Sequence, residues 1–340
     1  MASVPELVVR HAAPRHEPAP QITVQRVDSP AERQRELRQG LLDMPARIAP
    51  KFFYDAQGCA LYEALCQLDE YYPPRAESQA FSLHRQAIAA ALPRHGQLVD
   101  LGCGDGAKAA RWLEPLAVRR YIGVDIAADW LGDTLKRGAS QHPGVAFDGV
   151  VTDFTRGLQL QDVLHDELPT LFFYPGSSIG NFAPADALRL LSEIRAHLKP
   201  DDRLLIGVDA PKDRDALVAA YDDALGVTAA FNRNVLRVVN RELGSDFMPA
   251  AFEHRALFSE AHSRIEMHLV SRLNQTVQLG RGQQRRFEAG EAVVTEYSYK
   301  YSPQRFTRLL AHAGFGSVQH WSDAQGWFNV YVAAPAAYAQ

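Results

Sequence analysis

Apolar residues recur at three- and four-residue spacing in Leu61, Ala64, Leu65 and Leu68, within a stretch from about Ala31 to Leu92 that reads as helical. The stretch breaks at Tyr71-Tyr72-Pro73-Pro74. The pattern then changes to short continuous apolar runs at residues 98–101, 121–124, 171–174 and 204–208, with a weaker run at 149–152. Runs of this kind are strands buried on both faces, and their alternation with helices predicts a mainly parallel sheet with right-handed crossovers. Ligands bind such a sheet beyond the carboxyl ends of its strands.

Between residues 212 and 300 the pattern changes again, to a helix over 217–225 and then strand-like pieces over 263–273 and 276–279. The end reads as a helix over 306–310 and a hairpin-like pair, 318–321 and 328–332, around Ala324-Gln325-Gly326. The expected organisation is a parallel-sheet core from 22–77, 96–210 and 302–340, an inserted α+β substrate-binding unit from 78–95 and 211–301, and a disordered tail over 1–21. That tail holds Pro5, Pro14, Pro18 and Pro20 among scattered charges and has no apolar core of signal-peptide length.

A chain of 340 residues needs no disulfide or metal staple to hold its core. The formal net charge of −4 gives no basic field, so nucleic acid is not an expected partner. Three cysteines, Cys59, Cys66 and Cys103, fit neither a disulfide framework nor a zinc site, and with no long apolar stretch they point to a cytoplasmic protein off the membrane. A monomer is expected. His262 and His268 show no metal-ligand pairing, so no metal site is expected.

The chemistry begins at Leu98-Val99-Asp100-Leu101-Gly102-Cys103-Gly104-Asp105-Gly106-Ala107-Lys108, a strand running into a glycine-dense turn and then a helix. Glycine reaches positive φ without penalty and lets backbone approach a ligand, while the helix start offers free N–H groups. A dinucleotide fingerprint is G-x-G-x-x-G, whereas the spacing here is G-x-G-x-G, with Asp100 two positions before the first glycine. That carboxylate suits a cationic or hydroxyl-bearing ligand. Asp125 ends the next strand, where a carboxylate receives ribose hydroxyls, and Asp153 follows the third, placed to accept from an adenine amine with Phe154 against the ring. Three carboxylates at successive strand ends indicate S-adenosylmethionine. A terminal antiparallel pair is the usual ending of methyltransferase sheets and separates them from dehydrogenases. The expected fold is therefore an α/β class I methyltransferase sheet, Rossmann-like, with a terminal antiparallel strand and the inserted unit.

Longer strings are more specific than the turn. Phe53-Tyr54-Asp55, Glu70-Tyr71-Tyr72-Pro73, Gly176-Ser177-Ser178-Ile179-Gly180-Asn181, Ala220-Tyr221-Asp222-Asp223 and the run from Gly226 to Leu236 join Arg264-Ile265-Glu266-Met267 and Thr295-Glu296-Tyr297-Ser298. From about Leu37 onward the chain resembles the histidine-specific Nα-methyltransferases of ergothioneine biosynthesis. That family methylates the α-amine of L-histidine three times with S-adenosylmethionine, giving the betaine hercynine. The resemblance implies that Tyr71, Asn181 and Tyr221 hold the amino acid's polar head, the last two at its carboxylate, and that Tyr54 lies beside the α-amine. It implies Glu296 and Ser298 on the imidazole with Met267 as a size filter. It also implies Gly102, Lys108, Asp125, Asp153 and Phe154 on the cofactor. The glycine turn departs from the family form in having Asp100 for a glutamate and Gly106 at a variable position.

Methyl transfer from a sulfonium needs a neutral amine held in line and water kept out, and no covalent nucleophile. Tyr54 is the candidate for the contact that relieves the amine of its proton; otherwise it shapes the pocket. Glu296 carries specificity, because a buried carboxylate facing an imidazole N–H is left unpaired by substrates without that donor, at a cost of roughly 1–3 kcal/mol. Bland readings stand beside these: at least one of Tyr71 and Tyr72 is a structural break, a strand glutamate is a solvated face, Asn181 is a left-handed turn residue and Met267 is core filler. The alternative activities are N-methylation of another aromatic amino acid such as tryptophan, and cofactor binding without turnover.

Overall fold

A computed structural model describes residues 20–337. Its strands are β1 (Gln21–Val24), β2 (Ala46–Arg47), β3 (Gln97–Leu101), β4 (Arg120–Asp125), β5 (Ala146–Val151), β6 (Thr170–Tyr174) and β7 (Arg203–Asp209). They continue as β8 (Phe252–Ser259), β9 (Arg264–Ser271), β10 (Gln275–Gln278), β11 (Gln284–Phe287), β12 (Ala292–Tyr299), β13 (Phe315–Ser322) and β14 (Phe328–Pro335). Eight of them form one sheet in the order β1-β5-β4-β3-β6-β7-β14-β13. The first six run parallel, β14 lies antiparallel between β7 and β13, and the terminal pair expected from the sequence closes the sheet. Strand order reverses between β3 and β6, which opens a crevice at their carboxyl ends.

The continuous apolar runs are explained by two cores, one on each face. Leu98, Phe173 and Leu205 point into one, and their neighbours Val99, Phe172 and Leu204 into the other, as the pleat requires. Helices Pro184–Ala196 and Pro303–His312 cover the second face through Leu190, Ile194, Phe306 and Leu310. Helix Pro73–Leu83 lies on the first, through Ala76, Ala80 and Phe81, and that core runs on unbroken into Val235 of helix Val227–Leu243 and Phe252, Ile265 and Leu269 of a second sheet.

That sheet has the order β2-β12-β9-β8, with β10 and β11 as a separate antiparallel pair. Helix Val227–Leu243 packs on β8 and β9, and helix Ala56–Leu65 packs on that helix, with Phe53 stacked on Phe231 at 4.7 Å. β2 pairs with β12 at Ala46 and Val293. Within the stretch read as helical, this two-residue strand is an exception too short to show a period. Most of the expected tail, residues 1–19, lies outside the described residues, and Gln21 already opens β1.

Candidate active site

The turn after β3 places three glycines in the left-handed region, Gly102 (φ 67°), Gly104 (φ 52°) and Gly106 (φ 72°). This explains the every-second-residue spacing, since other residues in that region are strained. A Cβ on Gly102 or Gly104 would meet nothing within 4 Å, so the backbone there fronts open space of the kind a nucleoside cofactor fills. Asp125, the last residue of β4, accepts from the N–H of Gly104 (3.1 Å) and of Ala127 (3.1 Å), so one carboxylate shapes the turn and the start of the next helix. Asp100 is buried beneath the turn, where Tyr121 donates to it at 2.9 Å and its other oxygen has no hydrogen-bond partner among the described residues. Burial brings its carboxyl up to about 7 despite that bond.

Lys108, half-exposed, pairs with the buried Glu77, whose other oxygen accepts from the Gly176 N–H at 2.6 Å. Asp153 is buried and already engaged, by Lys51 at 3.0 Å and by Thr155. Burial opposes ionisation there, but these partners hold its carboxyl below the usual range. An adenine amine would have to share this carboxylate with Lys51. Phe154 stands edge-on to Tyr174 at 6.0 Å, beside the same strand ends. The five residues assigned to the cofactor thus lie along the carboxyl edge of β3, β4 and β5.

A cavity of about 50 Å³ lies at the carboxyl ends of the neighbouring strands β6 and β7, and Tyr54, Tyr71, Asn181, Tyr221, Met267, Glu296 and Ser298 all line it. They come from separate elements. Tyr54 ends the 3-10 turn Pro50–Phe53, Tyr71 precedes helix Pro73–Leu83, Asn181 ends the turn Ser178–Asn181, and Tyr221 ends helix Arg214–Tyr221. Glu296 and Ser298, two apart on β12, share a face, and Met267 on β9 is the direct cross-strand neighbour of Glu296. Thr295 is an extra residue between the Val294–His268 and Glu296–Met267 pairs, a β-bulge pinned by its hydroxyl donating to the Met267 carbonyl at 3.0 Å. Asn181 and Glu296 also border a groove of about 740 Å³ beside helix Pro30–Leu42.

Several local readings change with the structure. Asn181 is not left-handed; the positive φ falls on Gly176 (80°) and Ser177 (58°), while Gly180 is required because a Cβ there would sit 2.7 Å from the Tyr299 carbonyl. Tyr72 is the structural member of its pair, buried with its hydroxyl donating to Asp209 at 2.7 Å and accepting from Lys212 at 2.6 Å. The Glu296 side chain makes no hydrogen bond among the described residues, and burial brings its carboxyl up to about 7, only partly offset by Lys300. Tyr54 is 43% exposed, yet burial of its hydroxyl end and the nearby Glu296 push its pKa far above the ordinary phenol value.

Sequence reasoning missed Tyr62 and Phe231, which complete the aromatic wall of the cavity, and Asp209 and Lys300, whose charges lie against its polar wall. Spacing held one clue: Lys300 is two residues past Ser298, so Glu296, Ser298 and Lys300 form one series along a strand edge.

Among the described residues, no group of three or more His, Cys, Asp or Glu is placed to hold a metal ion, and no helix is long and apolar enough to cross a membrane. Known proteins extend the picture. The chain is 40% identical over 312 residues to histidine N-alpha-methyltransferase of Mycolicibacterium smegmatis, covering 90% of this chain and 96% of that one. The enzyme of the same name from Mycobacterium tuberculosis is 38% identical, with 88% and 94% covered. Ergothioneine biosynthesis protein 1 of Neurospora crassa is 26% identical over 82% of this chain, which spans 32% of that longer protein. A solved S-adenosylmethionine-dependent methyltransferase from Clostridium acetobutylicum overlays with a TM-score of 0.47 at 12% identity, covering 83% of this chain and 98% of that one. The family profile described as histidine-specific methyltransferase, SAM-dependent, matches residues 33–335, and the chain belongs to that family.

Proposed function

We propose that this protein moves three methyl groups in turn from S-adenosylmethionine to the α-amine of L-histidine, giving hercynine, the first step of an ergothioneine-type synthesis. The observation that carries the reading is one cavity, at the carboxyl ends of β6 and β7, where the carboxyl of Glu296, without a hydrogen bond among the described residues, shares the walls with Asn181, Tyr221 and Met267. In this reading Asn181 and Tyr221 hold the substrate carboxylate and Tyr71 adds a contact to the polar head. Glu296 and Ser298 bind the imidazole, and Met267 limits ring size. Gly102, Lys108, Asp125, Asp153 and Phe154 hold the cofactor. The substrate unit comprises 211–301 together with 46–65, the segment that packs on its long helix and pairs with β12, while of the 78–95 expected with it, residues 78–83 lie in helix Pro73–Leu83 against β14 of the large sheet.

The sulfonium supplies an electrophilic methyl carbon. As the C–S bond breaks, the amine lone pair forms the N–C bond, so the protein's work is alignment and exclusion of water. The amine must be neutral at each attack, so a proton leaves before each transfer. The raised pKa of Tyr54 keeps its hydroxyl protonated, which makes it a hydrogen-bond partner that passes the proton to water. The quaternary product has no donor, and the faces of Tyr54 and Tyr71 each stabilise such a cation by about 0.5–2 kcal/mol.

The test is turnover with S-adenosylmethionine and each of the twenty common amino acids. Histidine is expected to be consumed in steps to the trimethylated product. No turnover on any, or faster turnover on tryptophan, overturns the reading.

A further inference from the structure

Lys300 is 1% exposed, and its ammonium lies just outside the cavity rather than on its wall. Its three donors are matched by three acceptors: Asp209 at 2.7 Å, the Tyr221 hydroxyl at 3.0 Å and the Ser298 hydroxyl at 3.0 Å. All three of those residues do line the cavity. The two hydroxyls are 2.9 Å apart, so one donates to the other. With both oxygens accepting from the ammonium and one proton shared between them, a single O–H remains to donate into the cavity.

The charge is held there by its surroundings. Burial opposes the ammonium, yet Asp209 beside it keeps it raised above the ordinary lysine range. Lys212, on the other oxygen of Asp209, is brought down to about 8 by burial, so Lys300 is the more firmly protonated of the two.

We propose that Lys300 is a positioning residue for the substrate carboxylate: it fixes the direction of the Tyr221 and Ser298 hydroxyl protons and lends positive charge to the anion that Tyr221 binds, without touching it. This rests on the reading that Tyr221 holds the carboxylate. The same cation explains why Ser298 and Tyr221, on different elements, are locked together before any ligand arrives.

The test compares histidine with histidinamide, which lacks the anionic oxygen, under saturating S-adenosylmethionine. Because Lys300→Met alone strands the buried Asp209, the double variant Lys300→Met/Asp209→Asn is made as well, and both are checked by thermal melting. In whichever folds, kcat/KM for histidine is expected to fall about 10- to 100-fold, mostly through KM, while the value for histidinamide changes by less than about threefold. Cofactor affinity stays within about twofold, and Lys300→Arg, which keeps the charge, retains most of the preference for the acid over the amide. Equal losses on both substrates mean that the lysine is merely structural, and unchanged preference also overturns the inference. Failure of the unaltered enzyme to act on histidine would instead remove the functional reading beneath it.

Discussion

The two halves of the site are built in different ways. The half proposed for the cofactor is framed by backbone: left-handed glycines at 102, 104 and 106, with the Gly104 N–H held by Asp125, all within the first part of the sheet. The substrate half is side chains drawn from residues 54 to 298, converging on a small space and resting on buried charge. A backbone device tolerates change in the side chains around it, because what it offers is conformation. A converging device fails when any one wall is lost. In the proposed function, reaction type is therefore held by the robust half and substrate identity by the fragile one.

Mutations can break that contrast or sharpen it. The largest expected effect is Glu296→Ala, which should lower kcat/KM for histidine about 100- to 1000-fold, leaving S-adenosylmethionine affinity nearly unchanged in calorimetric titration. A matching loss of cofactor affinity would show that the halves are not separable.

Next is a stability effect in the ligand-free protein. Glu296 titrates at about 7 in the fold against 4.5 unfolded, so the penalty for its buried charge is absent below the unfolded value and complete above the folded one. Glu296→Gln should therefore gain up to roughly 3 kcal/mol over the parent in urea melts at pH 8, with the gain vanishing near pH 4. An equal gain at both pH values would contradict this origin.

Gly104→Val is smaller. A branched residue at φ 52° is strained by about 1–2 kcal/mol, which should weaken cofactor binding roughly 10-fold with little change in the histidine requirement. Smallest is Asp105→Ala: the side chain is exposed and bonds only to the Ala107 N–H (3.0 Å), so activity should stay within about twofold. A large loss there would mean that the turn is read by its side chains after all.

The same contrast governs what the sequence reveals. β3, β4, β6 and β7 are legible because strands buried on both faces are continuous apolar runs, and the glycine turn because positive φ leaves its mark on residue type. β2 is two residues long and invisible to periodicity. In the candidate site, Tyr54, Asn181, Tyr221 and Glu296 stand out through family strings, and the fold brings them to one cavity. Lys300 does not stand out, because a lysine after a strand looks solvated until Asp209, ninety-one positions earlier at the end of β7, is seen opposite it. The engagement of Asp153 by Lys51 is hidden for the same reason: the partners are distant in sequence.

The bulge at Thr295 works as a phase shift. Were β12 to run regularly through it, Thr295 would stand opposite Met267, and Glu296, Ser298 and Lys300 would turn together to the other face of the sheet. The proposed imidazole contact, the hydroxyl pair and the cation behind them are thus three readings of one register, set upstream by a residue that lies outside the cavity lining.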